Sequence, residues 1–255
     1  MFSTAAFALL APGLAHARAA KPAYLRGPLI DGRQEQVLLI PASSLIFGRG
    51  TGSEVRLSAP RPAKAPPSYD PNTYISRRQF QLELGSSAAT IVDLGSSNET
   101  KLGGKALSPK QPQELVSGTA IDVAGVLGLE LEVLHAGKRP VAIILGQPKG
   151  DLRVAMVSGP VGIQAKARQI LSAAERADLR LEPDSGSLSL SSRKAALDLG
   201  HRVLDPGESL RLDRATSWQV GELKFELGLV DAWDALARWM APYDITHTFC
   251  GTPEY

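Results

Sequence analysis

The chain has 255 residues, 44% hydrophobic and 21% charged, the balance of an ordinary soluble globular protein rather than a disordered or fibrous one. Its 28 basic residues barely exceed its 26 acidic ones, so no positive excess points to nucleic acid as a partner. A single cysteine and four histidines exclude an internal disulfide and a Cys/His zinc cluster, and no apolar run reaches the roughly 20 residues of a membrane-crossing helix.

Residues 1–22 form an apolar, small-residue tail with Phe7-Ala8-Leu9-Leu10 at its centre and Ala15-His16-Ala17 after it. The second stretch is similar to an export cleavage site, but no lysine or arginine precedes the apolar stretch, so a flexible tail on a cytoplasmic protein is expected, with export through an atypical N-terminal signal as the lesser alternative. From 23 to 135 short apolar runs alternate with turn residues. Val37-Leu38-Leu39-Ile40 meets Pro41, Leu45-Ile46-Phe47 meets Gly48, and Phe80 to Leu84 meets Gly85. Thr90 to Leu94 runs into Gly95, and Leu129 to Leu134 alternates with period two. Runs this short and closely spaced predict an antiparallel β-sandwich. Ala59 to Asn72 carries five prolines and is expected to be an exposed insertion.

The strand rhythm resumes over 139–229, in Val141–Leu145, Leu152–Val157, Leu179–Leu181, Leu188–Leu190 and Leu223–Leu227. The pattern from Leu115 to Leu134 is echoed from Leu204 to Leu227, about 90 positions on, with Gly118 and Gly207 in matching places. That echo predicts a second module of the same kind. Gln164 to Ala177 has helical spacing and predicts a short insertion helix. Over 230–255, Asp231 is placed to cap a helix with Trp233, Leu236, Ala237 and Met240 on one face, followed by a tail.

Three loops of the first module combine turn residues with phosphate-binding side chains. Gly48-Arg49 ends one strand, Ser76-Arg77-Arg78 opens another, and Ser96-Ser97-Asn98 lies in the turn after Asp93. Loops at one end of a small sandwich cluster in space. Guanidinium, hydroxyl and amide groups together can grip a phosphate and the peptide main chain beside it. Taken singly, Arg49 also has Glu54 and Asp93 as available ion-pair partners, and Ser96-Ser97-Asn98 also suits a self-bonded turn.

In order and spacing these segments resemble the forkhead-associated (FHA) domain, a β-sandwich that binds phosphothreonine peptides. The family pattern is Gly-Arg, Ser-x-x-His, Ser/Thr-x-Asn-Gly and a later Asn-Gly, approximated here by Gly103-Gly104. The resemblance covers about 110 residues, within the roughly 100 to 150 of a typical domain. It implies that Arg49 and Ser76 hold the phosphate, that Arg77 and Ser97 assist, and that Asn98 holds the peptide main chain. Two positions depart from the pattern. Gln79 replaces the histidine, which in the family ties the loops together, and its amide is expected to replace one of those hydrogen bonds. Glu99 replaces the loop glycine. It is expected to strain a positive-φ position by about 1 kcal/mol and to place a carboxylate beside the phosphate.

The second module keeps none of these residues. Its Val157-Ser158-Gly159-Pro160 lacks an arginine, and Ser191-Ser192-Arg193-Lys194 lacks an asparagine partner, so a degenerate FHA-like β domain is expected over 139–229. The final residues, Thr246 to Tyr255, resemble the activation segment of AGC-type protein kinases, in which the residue matching Thr248 accepts phosphate. No Gly-rich loop with its strand lysine, no His-Arg-Asp and no Asp-Phe-Gly accompanies it, so the chain is not expected to be a kinase. His16, His135, His201 and His247 have no evident nucleophile partner, and neither metal nor cofactor is expected. The resulting expectation is a non-enzymatic phosphothreonine-binding adaptor in a Ser/Thr kinase pathway, its partner a phosphorylated kinase or kinase substrate. The alternatives are a phosphate-independent scaffold and the regulatory fragment of a kinase.

Overall fold

The computed structural model describes residues 22–28, 34–50, 53–148, 152–164, 169–174, 177, 179–184, 187–193, 196–220 and 223–229. The expected tail over 1–22 falls outside them except for its last residue, and the expected helix from Asp231, with Thr248 beyond it, lies outside them entirely.

Strands in the first half are β1 (Ala23–Pro28), β2 (Gln34–Pro41), β3 (Ser44–Gly48), β4 (Val55–Arg56), β5 (Phe80–Leu84), β6 (Ala89–Asp93), β7 (Thr100–Leu102), β8 (Lys105–Ala106), β9 (Pro112–Glu114), β10 (Ala120–Val123) and β11 (Leu127–Ala136). The second half adds β12 (Arg139–Gly146), β13 (Leu152–Val157), β14 (Val161–Gln164), β15 (Gln169–Ala173), β16 (Leu179–Asp184), β17 (Ser187–Ser192), β18 (Leu197–Asp198), β19 (Val203–Leu204), β20 (Ser209–Leu212), β21 (Thr216–Val220) and β22 (Leu223–Leu229). The described residues form an all-β sandwich, as their turn-punctuated runs predict.

Its layers are three. A central sheet runs β19-β18-β21-β22-β1-β2-β13-β12-β11-β10-β7-β8, and two five-stranded sheets, β4-β3-β5-β6-β9 and β15-β14-β16-β17-β20, cover it. Side chains alternate across a strand, and β2 shows the consequence. Leu38 and Ile40 enter a core with Phe47, Phe80, Leu82 and Ile91, whereas Val37 and Leu39 enter a second core with Leu181, Leu190, Trp218 and Phe225. β12 and β13 divide in the same way, with Ile143, Leu145, Val154 and Met156 on one side and Ala142, Ile144, Ala155 and Val157 on the other. Strands buried on both faces must be apolar at every position, which is why these read as unbroken runs. β11 alternates because Leu129 and Leu131 face the first core while Gly128 and Glu130 face solvent.

Several details depart from the sequence reading. Pairing is not wholly antiparallel, because β2–β13 and β3–β4 are parallel. Among the described residues of Gln164–Ala177, where a helix is expected, none is α-helical; Gln164 ends β14 and Gln169–Ala173 form β15, the two strands paired Val161 to Ala173 and Gly162 to Ser172. Leu171 and Ile163 fill the second core there, and burial against a sheet outweighs local helical spacing. β1 pairs with β22 at the far end of the described chain. The boundary expected between 135 and 139 falls in the turn joining β11 to β12, two antiparallel strands paired from Ala136–Arg139 to Glu130–Gly146 with one register shift between Leu134 and His135. The echo survives in position, β10 and β20 beginning about 90 residues apart, but β10 pairs with β11 whereas β20 pairs with β17.

Candidate functional site

At one end of the first core, the loop after β3, the segment before β5 and the loop after β6 are bound to one another. Phe47 on β3 stacks on Phe80 of β5 with ring centroids 4.9 Å apart, fixing how the two strands enter their loops. At Gly48 the backbones come so close that a Cβ would lie 2.3 Å from the Arg77 carbonyl oxygen. Only glycine fits there. Beyond it Arg49 N–H donates to the Ser76 carbonyl and Gly50 N–H to the Arg77 carbonyl, each at 3.0 Å, and Ser53 Oγ donates to the same Arg77 oxygen at 2.8 Å.

The proline-rich insertion is largely exposed but closed at its base. Asn72 Oδ1 accepts from Ala59 N–H at 2.8 Å, and Asp70 caps a short 3-10 helix, Pro71–Tyr74. Ile75 then plugs the core with no exposed surface, leaving Tyr74-Ile75-Ser76 as a strap across the end of the sandwich. Three groups bond to this strap. Arg49 Nε donates to the Ile75 carbonyl at 2.6 Å, Asn98 Nδ2 to the Tyr74 carbonyl at 2.8 Å, and Ser97 N–H to Ser76 Oγ at 2.9 Å.

The loop after β6 is shaped by Asp93. One carboxylate oxygen accepts from the Gly95 and Ser96 amides, the other from the Ser96 and Thr100 hydroxyls. Burial pushes the Asp93 carboxyl up, but the Ser96, Thr100 and Gly95 donors together hold it below the usual carboxylate range. Gln79, fully buried, joins this loop to the strap. Its Oε1 accepts from Ser76 N–H at 2.7 Å, and its Nε2 donates to the Asn98 carbonyl at 2.8 Å and to Thr100 Oγ1 at 3.1 Å. The amide therefore makes three bonds where one was expected.

Arg49, Ser76, Ser97 and Asn98 are thus brought together, with the Arg77 backbone inside the same network and its side chain exposed. The alternative partners of Arg49 are engaged elsewhere, Glu54 accepting from Ile46 N–H and Asp93 from its own loop. Among the described residues neither Arg49 nor Arg77 forms an ion pair. Two guanidiniums therefore face outward beside hydroxyl and amide groups, a surface of positive charge and donors suited to a dianion. Glu99 corrects an expectation: it is not at positive φ, the left-handed position in this loop being Gly95 at φ 85°. Its exposed carboxylate lies 3.9 Å from Lys101 Nζ. Gly103 and Gly104 form the turn between β7 and β8.

Sequence reasoning missed Asp93 and Thr100 as the loop's internal anchors. The signal for Asp93 was present in Asp93-Leu94-Gly95-Ser96, an aspartate placed to bond amides two and three residues on. That for Thr100 was not, because its partners are 7 and 21 residues away.

Residues 45–124 match the FHA domain family. That stretch is an FHA domain. No curated protein matches the chain. Among solved structures, it is similar to one from a study of phosphothreonine-dependent FHA domain interactions, at 26% identity over 40% of this chain and 88% of that one, with a TM-score of 0.25. The FhaA FHA domain complexed with the intracellular domain of Rv3910 is 25% identical over 40% and 91%, with a TM-score of 0.25. The yeast Dun1 FHA domain, in complex with a doubly phosphorylated peptide from Rad53, is 18% identical over 50% and 79%, with a TM-score of 0.27. The family match ends at residue 124.

Proposed function

We propose that this protein is a phosphothreonine-peptide-binding adaptor in a Ser/Thr kinase pathway. Its FHA domain reads the phosphorylated partner, and the layer built from the second half serves as scaffold. The reading rests on one observation above all: Arg49, Ser97 and Asn98, from two different loops, all bond to the strap that carries Ser76. Arg49 spends only Nε on the strap, which leaves both Nη groups for two parallel donors to a phosphate. Ser76, Arg77 and Ser97 supply further donors, and Asn98 keeps its Oδ1 and one N–H for the peptide main chain.

Charge-assisted hydrogen bonds contribute about 1.5–3 kcal/mol each, so Arg49→Ala should weaken a phosphothreonine peptide at least about tenfold. Ser76→Ala should cost less, and Arg49→Lys should not restore full affinity because an ammonium cannot make the paired contact. Fluorescence anisotropy with matched phosphorylated and unphosphorylated peptides decides the matter. Equal binding of both peptides by the wild type would leave the scaffold reading in its place.

A further inference from the structure

β8 ends the central sheet and β9 ends one covering sheet. Between these two edges lies a groove of about 500 Å³, within the range of ligand-binding clefts. None of Arg49, Ser76, Ser97 and Asn98 lines it, so it is separate from the phosphate-binding loops. Its apolar lining includes Leu102 and Leu107, half-buried against the first core, and Val116, which is 63% exposed. Lys105 stands on the β8 side, exposed and without an ion pair among the described residues. The edges are open in their backbone as well. Leu115 N–H bonds the Ala89 carbonyl and Leu107 N–H the Thr100 carbonyl, each at 2.9 Å. Antiparallel ladders alternate bonded and non-bonded pairs. Glu114 and Ala106, the residues just before these donors, therefore turn their N–H and C=O groups away from the neighbouring strands, β6 and β7.

We infer that this groove is a second peptide-binding site, which takes one extended segment of a partner protein, apolar at alternate positions and acidic at one, as an added strand. The site needs no phosphate and does not depend on the phosphopeptide reading. Its dimensions select a single strand. Stacked sheets lie about 10 Å apart and paired strands about 4.8 Å, so one strand between the two edges is spaced to bond with both, through Ala106 on one side and Glu114 on the other. Main-chain bonds of this kind give affinity, and alternate side chains give specificity. The inward side chains of the segment meet Leu102, Leu107 and Val116, where apolar groups fit best. Lys105 sets the charge. An acidic residue beside it gains an ion pair, whereas a basic one meets an unpaired cation. Glu114 does not cancel this charge, because it pairs with Thr90 on the solvent face of its sheet, opposite the face of the buried Ile91. Lys105 and the edge proline Pro112 also blunt the two edges against indiscriminate pairing. Edges protected in this way favour a segment that satisfies the lysine.

The test selects unphosphorylated random peptides of about eight residues, somewhat longer than a typical strand, on the full chain. Enriched sequences should alternate apolar and polar residues and carry an acidic residue. In fluorescence anisotropy, Lys105→Glu should weaken these peptides at least about fivefold, and wild-type affinity should fall as salt rises. Ala106→Pro should weaken them by a similar factor with an unchanged denaturant melt, since the N–H it removes is not used within the sheet. Enrichment of no sequence, or equal binding by wild type and Lys105→Glu, refutes the site. Loss with Lys105→Glu but not with a folded Ala106→Pro refutes strand addition. A concentration-dependent dimer in sedimentation, dissolved by Val116→Lys, also overturns the inference, because a second copy of the chain then fills the groove.

Discussion

Gln79 Nε2 donates to the main-chain carbonyl of Asn98 at 2.8 Å, while Gln79 Oε1 accepts from Ser76 N–H. One buried amide thereby sets the distance between the strap and the asparagine loop. Gln79→Leu would leave the Ser76 amide without its acceptor, whereas the Asn98 carbonyl of an exposed residue keeps Ser96 Oγ at 2.9 Å. Leaving a buried group unpaired costs about 1–3 kcal/mol, so a destabilisation of roughly 1–3 kcal/mol is expected, with phosphopeptide affinity falling about tenfold. Denaturant melts and anisotropy measure the two effects. An unchanged melt together with unchanged affinity would show that the loops do not depend on this amide.

Gly48→Ala tests the close approach of the first two loops. The added Cβ would meet backbone atoms of Arg77 rather than the end of a flexible side chain. The Arg77 carbonyl, acceptor for both Gly50 and Ser53, must then move. The expected cost is about 1–3 kcal/mol, as for other overpacked sites, accompanied by weaker phosphopeptide binding. A variant as stable as wild type and equally tight in binding would contradict the packing described.

Asp93 gives the site a defined response to acid. Its folded pKa is depressed, so its contribution is fully present above the unfolded value of about 3.9 and is lost as pH falls through the folded value. Asp93→Asn should therefore lower stability at neutral pH, and the gap to wild type should be constant above about pH 5 and narrow below about pH 4. Chemical denaturation across that range reads the gap directly. A gap that widened on acidification would have the wrong sign for a hydrogen-bonded carboxylate.

Much of this architecture is legible in the sequence, and the losses have physical causes. Turn residues after Phe47, Leu84 and Leu94 announced strands because each run is short and ends in glycine. The order Gly48-Arg49, Ser76-Arg77, Ser97-Asn98 announced loops that share one end of a sandwich. What Val37–Ile40 did not reveal is that its two faces serve different cores, because an apolar run has no period from which to assign a face. Gln79 was legible as an exception to a pattern, but its three bonds depend on Asn98 and Thr100, which only the fold brings near. The family pattern places glycine at position 99 and so predicts strain for Glu99, yet this loop takes its left-handed residue at Gly95.

That relocation changes what Glu99 is expected to do. Glu99→Gly relieves no backbone strain, leaving only removal of an exposed carboxylate already near Lys101. Surface charge pairs contribute about 0–1 kcal/mol, so phosphopeptide binding should tighten by no more than about threefold, and the gain should fade in high salt. Tightening that persists at high salt would place the effect in the loop's conformation instead.

The shared central sheet makes a final prediction about a fragment spanning residues 23–135. It keeps the FHA motif residues but loses β12 and β13, and with them Ile143, Leu145, Val154 and Met156 from the first core. β2 loses its parallel partner, β11 loses β12, and β1 loses β22. Val37 and Leu39, buried in the second core of the full chain, would face water on β2, an exposed edge that invites association. Burying a side chain of this size contributes about 1.5–3 kcal/mol, and several are forfeited at once, against a total stability of only about 5–15 kcal/mol. The fragment should therefore fail to fold, giving a poorly dispersed amide NMR spectrum and no cooperative melt. In the full chain, amides of β5 and β17, from the two covering sheets, should lose hydrogen-exchange protection at the same denaturant concentration. A folded 23–135 fragment, or two well-separated exchange transitions, would mean that the halves are stable independently despite the sheet they share.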